Sequence, residues 1–128
     1  MNVRGWGDEL LTIDLGTQSL RLAAYDDTGH RRWAWSAPVD SFISGDIYEQ
    51  SPEQWESLLL QGLGDSQRSG VKPLAIAAAG TLAGYVALGS DGRSLGNATM
   101  YPDRRATGQV SRVSQALLDV CLLYTSDA

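Results

Sequence analysis

The chain has 128 residues, 43% of them hydrophobic, and a formal net charge of −5. That composition is ordinary for a globular protein and argues against disorder, and the length suits one small domain or part of a larger one. The basic residues form no stripe, which speaks against a general nucleic-acid or membrane-surface binder.

Cys121 is the single cysteine and His30 the single histidine, so no internal disulfide and no Cys or His metal cluster can form. A reducing, cytoplasmic setting fits. Met1 to Glu9 is too polar for a signal peptide. No apolar run approaches the roughly 20 residues that span a bilayer.

In chain order, a polar lead-in precedes a strand over Leu10 to Asp14, a turn at Gly16-Thr17-Gln18-Ser19, and a strand over Leu20 to Tyr25. In the second strand Leu20, Leu22 and Ala24 share a face. Such a turn can hold a phosphate. Gly16 has no Cβ and tolerates positive φ, so the backbone can come close, and successive N–H groups form an anion-binding nest. Thr17, Gln18 and Ser19 add side-chain donors and Arg21 a positive charge. Asp14 would repel a phosphate unless Mg²⁺ lay between them, an ion that typically binds one or two carboxylates plus phosphate oxygens. An ordinary β-hairpin with a polar turn satisfies the same residues.

Asp26-Asp27-Thr28-Gly29 predicts a hairpin turn. A third strand follows over His30 to Val39, with Trp33 and Trp35 on one face. The three strands make an antiparallel meander. His30 reads as a half-exposed strand residue, since nothing nearby in sequence orients it as a base. Pro38 to Gln50 reads as a loop that could rim a site.

Ser51-Pro52-Glu53-Gln54 announces a helix. Ser51 can cap, Pro52 fits the first helical position, and Gln54 completes a capping box. Trp55, Leu58, Leu59 and Leu63 recur at helical spacing and predict a face packed on the sheet. Gly62 and Gly64 weaken the far end, and Asp65 to Lys72 reads as a polar connection. Pro73 to Ala79 predicts a buried central strand, which completes a β-α-β crossover and an α/β class. Gly80 to Gly84 follows at the carboxyl end of that strand, where open α/β sheets bind ligands. A plain strand-to-strand turn is the alternative.

Tyr85 to Leu88 predicts another strand, Ser90 to Arg93 a hairpin turn, and Ala98 to Tyr101 a short strand. Pro102 to Arg105 then opens a last helix with an apolar stripe at Ala106, Val110, Val113 and Leu117. Gly108 costs that helix about 1 kcal/mol relative to Ala. Asp103 fits a cap, and Arg104-Arg105 a solvated face.

Three stretches, IDLGTQSLRLAAYDDTG near the start, EQSPEQW at Glu49 to Trp55, and IAAAGTLAGYVALGSDGRSLGNATMYPDRRA at Ile76 to Ala106, together resemble the N-terminal part of the FGGY carbohydrate kinases. That family includes xylulose, ribulose, gluconate, fuculose and glycerol kinases. The similarity runs in the family's order and spacing to about Asp119. An Asp-x-Gly-Thr turn also occurs in actin-like and chaperone ATPases. The Asp-Gly-Arg-x-Leu hairpin followed by a Tyr/Trp-x-Asp-x-Arg run is more typical of the sugar kinases.

The resemblance implies a ribonuclease-H-like, actin-like ATPase domain, incomplete here, with a mixed sheet that starts with the meander. It implies ATP and Mg²⁺ as cofactors, a sugar or polyol as substrate, and transfer of the γ-phosphoryl group to a sugar hydroxyl. Asp14 would face the Mg²⁺–phosphate group, and Gly16, Thr17, Gln18, Ser19 and Arg21 would form the phosphate loop. Thr81, Leu82 and Ala83 match the sugar-contact turn, and Asp103 an acidic position facing the sugar. Many xylulose-kinase-like members carry Met-His and glycerol kinases Arg-Glu where this chain has Leu82-Ala83, a pair with no hydrogen-bonding side chain. The family's catalytic aspartate and adenosine-binding segment fall beyond this chain. Residues 1–119 are thus expected to be a partial kinase domain, inactive alone, and 120–128 a non-native tail. The full-length parent could be a homo-oligomer. A non-catalytic actin-like nucleotide-binding module is the competing reading.

Overall fold

The computed structural model describes residues 8–81, 83–110 and 112–115. Its elements are β1 (Glu9–Leu15), β2 (Ser19–Tyr25), β3 (Arg31–Pro38), β4 (Phe42–Ser44), β5 (Ile47–Gln50), α1 (Pro52–Arg68), β6 (Pro73–Ala79) and β7 (Ala98–Thr99). Two sheets form, one ordered β3-β2-β1-β6 and one ordered β4-β5-β7.

In the larger sheet β2 pairs antiparallel with both β1 and β3, while β6 runs parallel to β1. The period of two in the sequence decides which face is inside. Leu11, Leu20, Leu22 and Ala24 are buried, whereas Arg21 between them is exposed. Ile13, Leu15, Trp33 and Trp35 join the same core from the sheet side, and Trp55, Leu58, Leu59 and Leu63 from α1. Residues 55, 58, 59, 62, 63 and 66 form the covered stripe of the helix, the i, i+3, i+4 spacing of an amphipathic helix.

Ser51 caps α1, its hydroxyl accepting from the Gln54 N–H at 3.1 Å. The expected return bond from Gln54 is not made. Its side-chain amide instead clasps Asp40, donating to a carboxylate oxygen at 2.7 Å and accepting from the Asp40 N–H at 3.0 Å. The helix also outlasts its expected end, taking in Asp65 to Arg68 before Ser69 and a left-handed Gly70 stop it. Gly64 therefore does not end the helix, and Gly62 lets it approach the sheet. A Cβ on Gly62 would lie 2.8 Å from the Trp35 ring and 3.1 Å from Leu22.

Three further expectations are corrected. Among the described residues β6 lies at the edge of the sheet, not in its centre, and α1 lies over β2 and β3, leaving Leu74 and Ile76 each 59% exposed. Residues 38–50 are not all loop, since Phe42–Ser44 and Ile47–Gln50 pair as a hairpin around a left-handed Gly45. The expected strand at Tyr85 to Leu88 is only two isolated bridges, Tyr85 to Thr99 and Leu88 to Ser94.

The segment from Pro102 does not open a helix. It forms a turn, with the Asp103 N–H donating to Met100 O and the Arg104 N–H to Asp46 O, followed by a 3-10 turn at Thr107–Gln109. Residues 112–115 are helical. Leu117 and the 120–128 tail lie outside the described residues. Among the described residues no helix is long and apolar enough to cross a membrane.

Candidate functional site

The β1–β2 turn is held by its own backbone and by its surroundings. The Gly16 N–H donates to Ser19 O at 3.0 Å, which closes the turn. Gly16 does not use its tolerance of positive φ, since it is not left-handed. Room is tight there, since a Cβ would stand 3.3 Å from Ser19 O. The Gln18 carbonyl accepts from the Val39 N–H at 3.0 Å, and the Thr17 carbonyl from the Gln50 side-chain amide at 2.6 Å. The turn's carbonyls are thus tied to the scaffold. Among the described residues the N–H groups of Thr17 and Gln18 have no hydrogen-bond acceptor.

A cleft of about 350 Å³ opens beside this turn. Asp14, Gly16 and Thr17 form one wall, Gly80 and Thr81 at the end of β6 the second, and Met100, Tyr101 and Pro102 after β7 the third. The parallel register explains the meeting, because Asp14 pairs with Ala79 and the two strands end side by side. The carboxyl ends of parallel strands are where open α/β sheets form ligand crevices.

Of the residues the sequence singles out, the cleft collects Asp14, Gly16, Thr17 and Thr81. Gln18 and Ser19 belong to the turn but do not line the cleft. Arg21 sits opposite Asp14 across the β1–β2 pair, and its guanidinium lies 3.7 Å from the Asp14 carboxylate. Both side chains are half or more exposed, so water screens this pair. Arg21 and Asp14 also border a shallow hollow of about 380 Å³ on the sheet face away from α1, together with Tyr25, Arg31 and Ser36. Ala83 adopts φ 55°, the left-handed region in which a side chain is uncommon, and is exposed outside the cleft. Leu82 lies outside the described residues.

Asp103 is corrected most. It does not line the cleft, and its side chain is only 5% exposed. Its carboxylate accepts from the Tyr48 N–H at 2.9 Å and from the Arg105 N–H at 3.1 Å, and lies 2.8 Å from the Arg105 guanidinium. The Arg105 guanidinium, followed by the Tyr48 N–H, holds the carboxyl down to about 2. Arg105 is exposed, yet its guanidinium is paired rather than free in solvent. It also bridges to Glu49 at 2.6 Å, and its own pKa is raised by the two carboxylates. Glu49 is lowered, first by the Asn97 amide and then by Arg105. Asp103, Arg105 and Glu49 latch the turn after β7 onto β5. His30 is exposed, with its Nδ1 2.7 Å from the Thr28 hydroxyl.

Sequence reasoning placed Tyr101 and Gln50 in motifs but gave neither a role at the site. Tyr101 is 74% exposed at the cleft wall, and its signal was an aromatic directly before proline in a turn. Gln50 is 1% exposed, and its place in the Glu49 to Trp55 stretch just before the Ser-Pro helix start was the hint.

The cleft contains one carboxylate, Asp14, and among the described residues no group of three or more His, Cys, Asp or Glu is placed to hold a metal ion. Such a donor set does not make an all-protein cage. It fits a Mg²⁺ ion held mostly by phosphate oxygens and water.

No protein-family model and no curated protein sequence matches the chain. Solved structures do. A xylulose kinase from Rhodospirillum rubrum superposes with a TM-score of 0.79 at 20% identity, over 84% of this chain and 23% of that one. A gluconate kinase from Lactobacillus acidophilus gives 0.75 at 21% identity, over 85% and 23%. The Plasmodium falciparum glycerol kinase with ADP gives 0.73 at 18% identity, over 84% and 23%. The chain therefore has the fold of part of these carbohydrate kinases and spans about a quarter of their length.

Proposed function

We propose that this chain is the N-terminal piece of an FGGY-type carbohydrate kinase, transferring the γ-phosphoryl group of ATP to a sugar or polyol hydroxyl. The observation that carries this reading is the cleft in which Asp14, Gly16 and Thr17 face Thr81 and Tyr101. Phosphoryl transfer depends mainly on positioning and charge stabilisation. The Thr17 and Gln18 N–H groups and the Thr17 hydroxyl suit phosphate oxygens, with Arg21 close by. Asp14 is the carboxylate that would hold Mg²⁺, which neutralises phosphate charge when bound. On the opposite wall the Thr81 hydroxyl can hydrogen-bond a polyol, and the Tyr101 ring offers an apolar face with a polar tip. Neither Ala83 nor Asp103 serves the polyol, the first for lack of a polar group and the second because its carboxylate is occupied. No general base is assigned within this chain, so it is expected to be inactive alone. Sugar-dependent ADP production by the purified chain would overturn that expectation.

The test follows amide shifts at Thr17 and Gln18 during titration with pyrophosphate, with and without Mg²⁺. Saturable shifts that tighten with Mg²⁺ in the native chain, and lose that dependence in Asp14→Asn, are the expected outcome. Binding that ignores both Mg²⁺ and the substitution removes Asp14 from its role. A second reading, a non-catalytic actin-like nucleotide-binding module, is favoured by the sparse polar chemistry opposite the turn. Nucleotide binding without sugar or polyol phosphorylation by the full-length parent would select it.

A further inference from the structure

Gln50 lies at the end of β5, away from the cleft wall, yet it reaches the turn that the proposed function depends on. Its side chain is 1% exposed and makes three hydrogen bonds. The Nε2 donates to the Thr17 carbonyl at 2.6 Å and to the Ser41 hydroxyl at 2.8 Å, and the Oε1 accepts from the Trp55 indole N–H at 3.1 Å. The chemistry of the partners fixes the amide in one orientation. An indole N–H can only donate, so it requires the oxygen, and a backbone carbonyl can only accept, so it requires the nitrogen. A flip would break the pattern at both ends at once. Burial sharpens the effect, because a polar group left unpaired away from water is costly.

We propose that Gln50 is a positioning residue for the β1–β2 turn. It holds the Thr17 carbonyl inward, which sets the direction of the Gln18 N–H as an anion donor, and Trp55 in turn locks Gln50. Each peptide plane ties a carbonyl to the N–H of the next residue, so fixing Thr17 O sets the direction of the Gln18 N–H. Val39 performs the equivalent task at Gln18 O. The first turn of α1 is thereby coupled to the turn that would hold phosphate. This inference rests on the phosphate reading of the turn for its functional meaning, but its geometry can be tested without any ligand.

The experiment compares the native chain with Gln50→Met, Trp55→Phe and Ser41→Ala. Backbone amide order parameters at Thr17 and Gln18 are measured without ligand, and a magnesium pyrophosphate titration follows. Gln50→Met keeps volume and removes both bonding ends. Trp55→Phe keeps an aromatic ring and removes only the indole donor, so it decides the matter if the Gln50 variant fails to fold. Both are expected to drop the two amides from rigid values near about 0.85 toward about 0.6. Both should weaken magnesium pyrophosphate by about 10-fold, typical of residues that orient a binding group. Ser41→Ala leaves the Thr17 bond in place and should change neither. A lowered melting temperature with native order at Thr17 and Gln18 in the folded variants would assign Gln50 a packing role only and overturn the proposal. A native chain that is ordered at the turn but shows no pyrophosphate response would overturn the phosphate reading instead.

Discussion

Two glycines in α1, two residues apart, are expected to respond oppositely to the same substitution. Glycine in a helix interior is about 0.8–1 kcal/mol less favourable than alanine, so propensity alone predicts that both Gly62→Ala and Gly64→Ala stabilise. The surroundings differ. At Gly64 the nearest atom to an added Cβ is the Arg68 guanidinium at 3.3 Å, the far end of a flexible side chain that can move. At Gly62 the Cβ meets Trp35 at 2.8 and 3.0 Å and Leu22 at 3.1 Å, at the contact between helix and sheet. The Trp35 ring is partly buried and packs against the core, so making room for a Cβ requires repacking, and overpacking of this kind costs about 1–3 kcal/mol. Subtracting the propensity gain leaves Gly62→Ala between neutral and about 2 kcal/mol destabilising, against a gain of up to about 1 kcal/mol for Gly64→Ala. Thermal melts followed by circular dichroism separate the two, at roughly 4 °C per kcal/mol for a domain of this size. Equal stabilisation by both would refute the close approach of α1 to Trp35.

Acid should unfold the chain through a specific set of carboxylates. Asp103 is held at about 2 by Arg105, while Glu49 is lowered mainly by Asn97, Glu53 mainly by the Ser94 hydroxyl, and Asp26 mainly by the Thr28 hydroxyl. Their folded pKa values lie below the unfolded ones of 3.8 for Asp and 4.5 for Glu, so their contribution is complete above about pH 5 and is lost as pH falls toward 2. Melting temperatures across that range should fall steeply in the native chain and less steeply in Asp103→Asn; parallel curves would remove Asp103 from the acid transition. Ser51→Ala should cost about 1 kcal/mol through loss of the helix cap, read from urea denaturation. No change in the midpoint would mean that Pro52 and Glu53 suffice to start α1.

Most of the larger sheet was legible because its signals are local. Alternation in Leu20, Leu22 and Ala24 and the Ser51-Pro52 start need only neighbouring residues. What sequence could not give was decided at a distance. The run from Leu74 to Ala79 is apolar whether its strand is central or at an edge, and only the position of α1 over β2 and β3 settles which. The hairpin of β4 and β5 was missed because three- and four-residue strands carry too few alternations to stand out from a loop. Asp103 was visible as a carboxylate near a cleft, but Tyr48, which occupies it, lies 55 residues away in sequence. Thr17 and Gln50, 33 residues apart, present the same difficulty.

The position of β6 has a consequence for handling the molecule. Its outer side faces solvent with no strand beside it among the described residues, and residues 73–79 carry no charge to repel a neighbour. The opposite edge strand, β3, begins with Arg31 and Arg32, a protection that β6 lacks. Such an edge is a ready template for strand addition, and two molecules meeting there would form a continuous eight-stranded sheet from two sheets of four. The soluble lifetime of the chain should therefore shorten with concentration, and dilution should prolong it more effectively than cooling, because the hydrophobic stability of the core weakens in the cold.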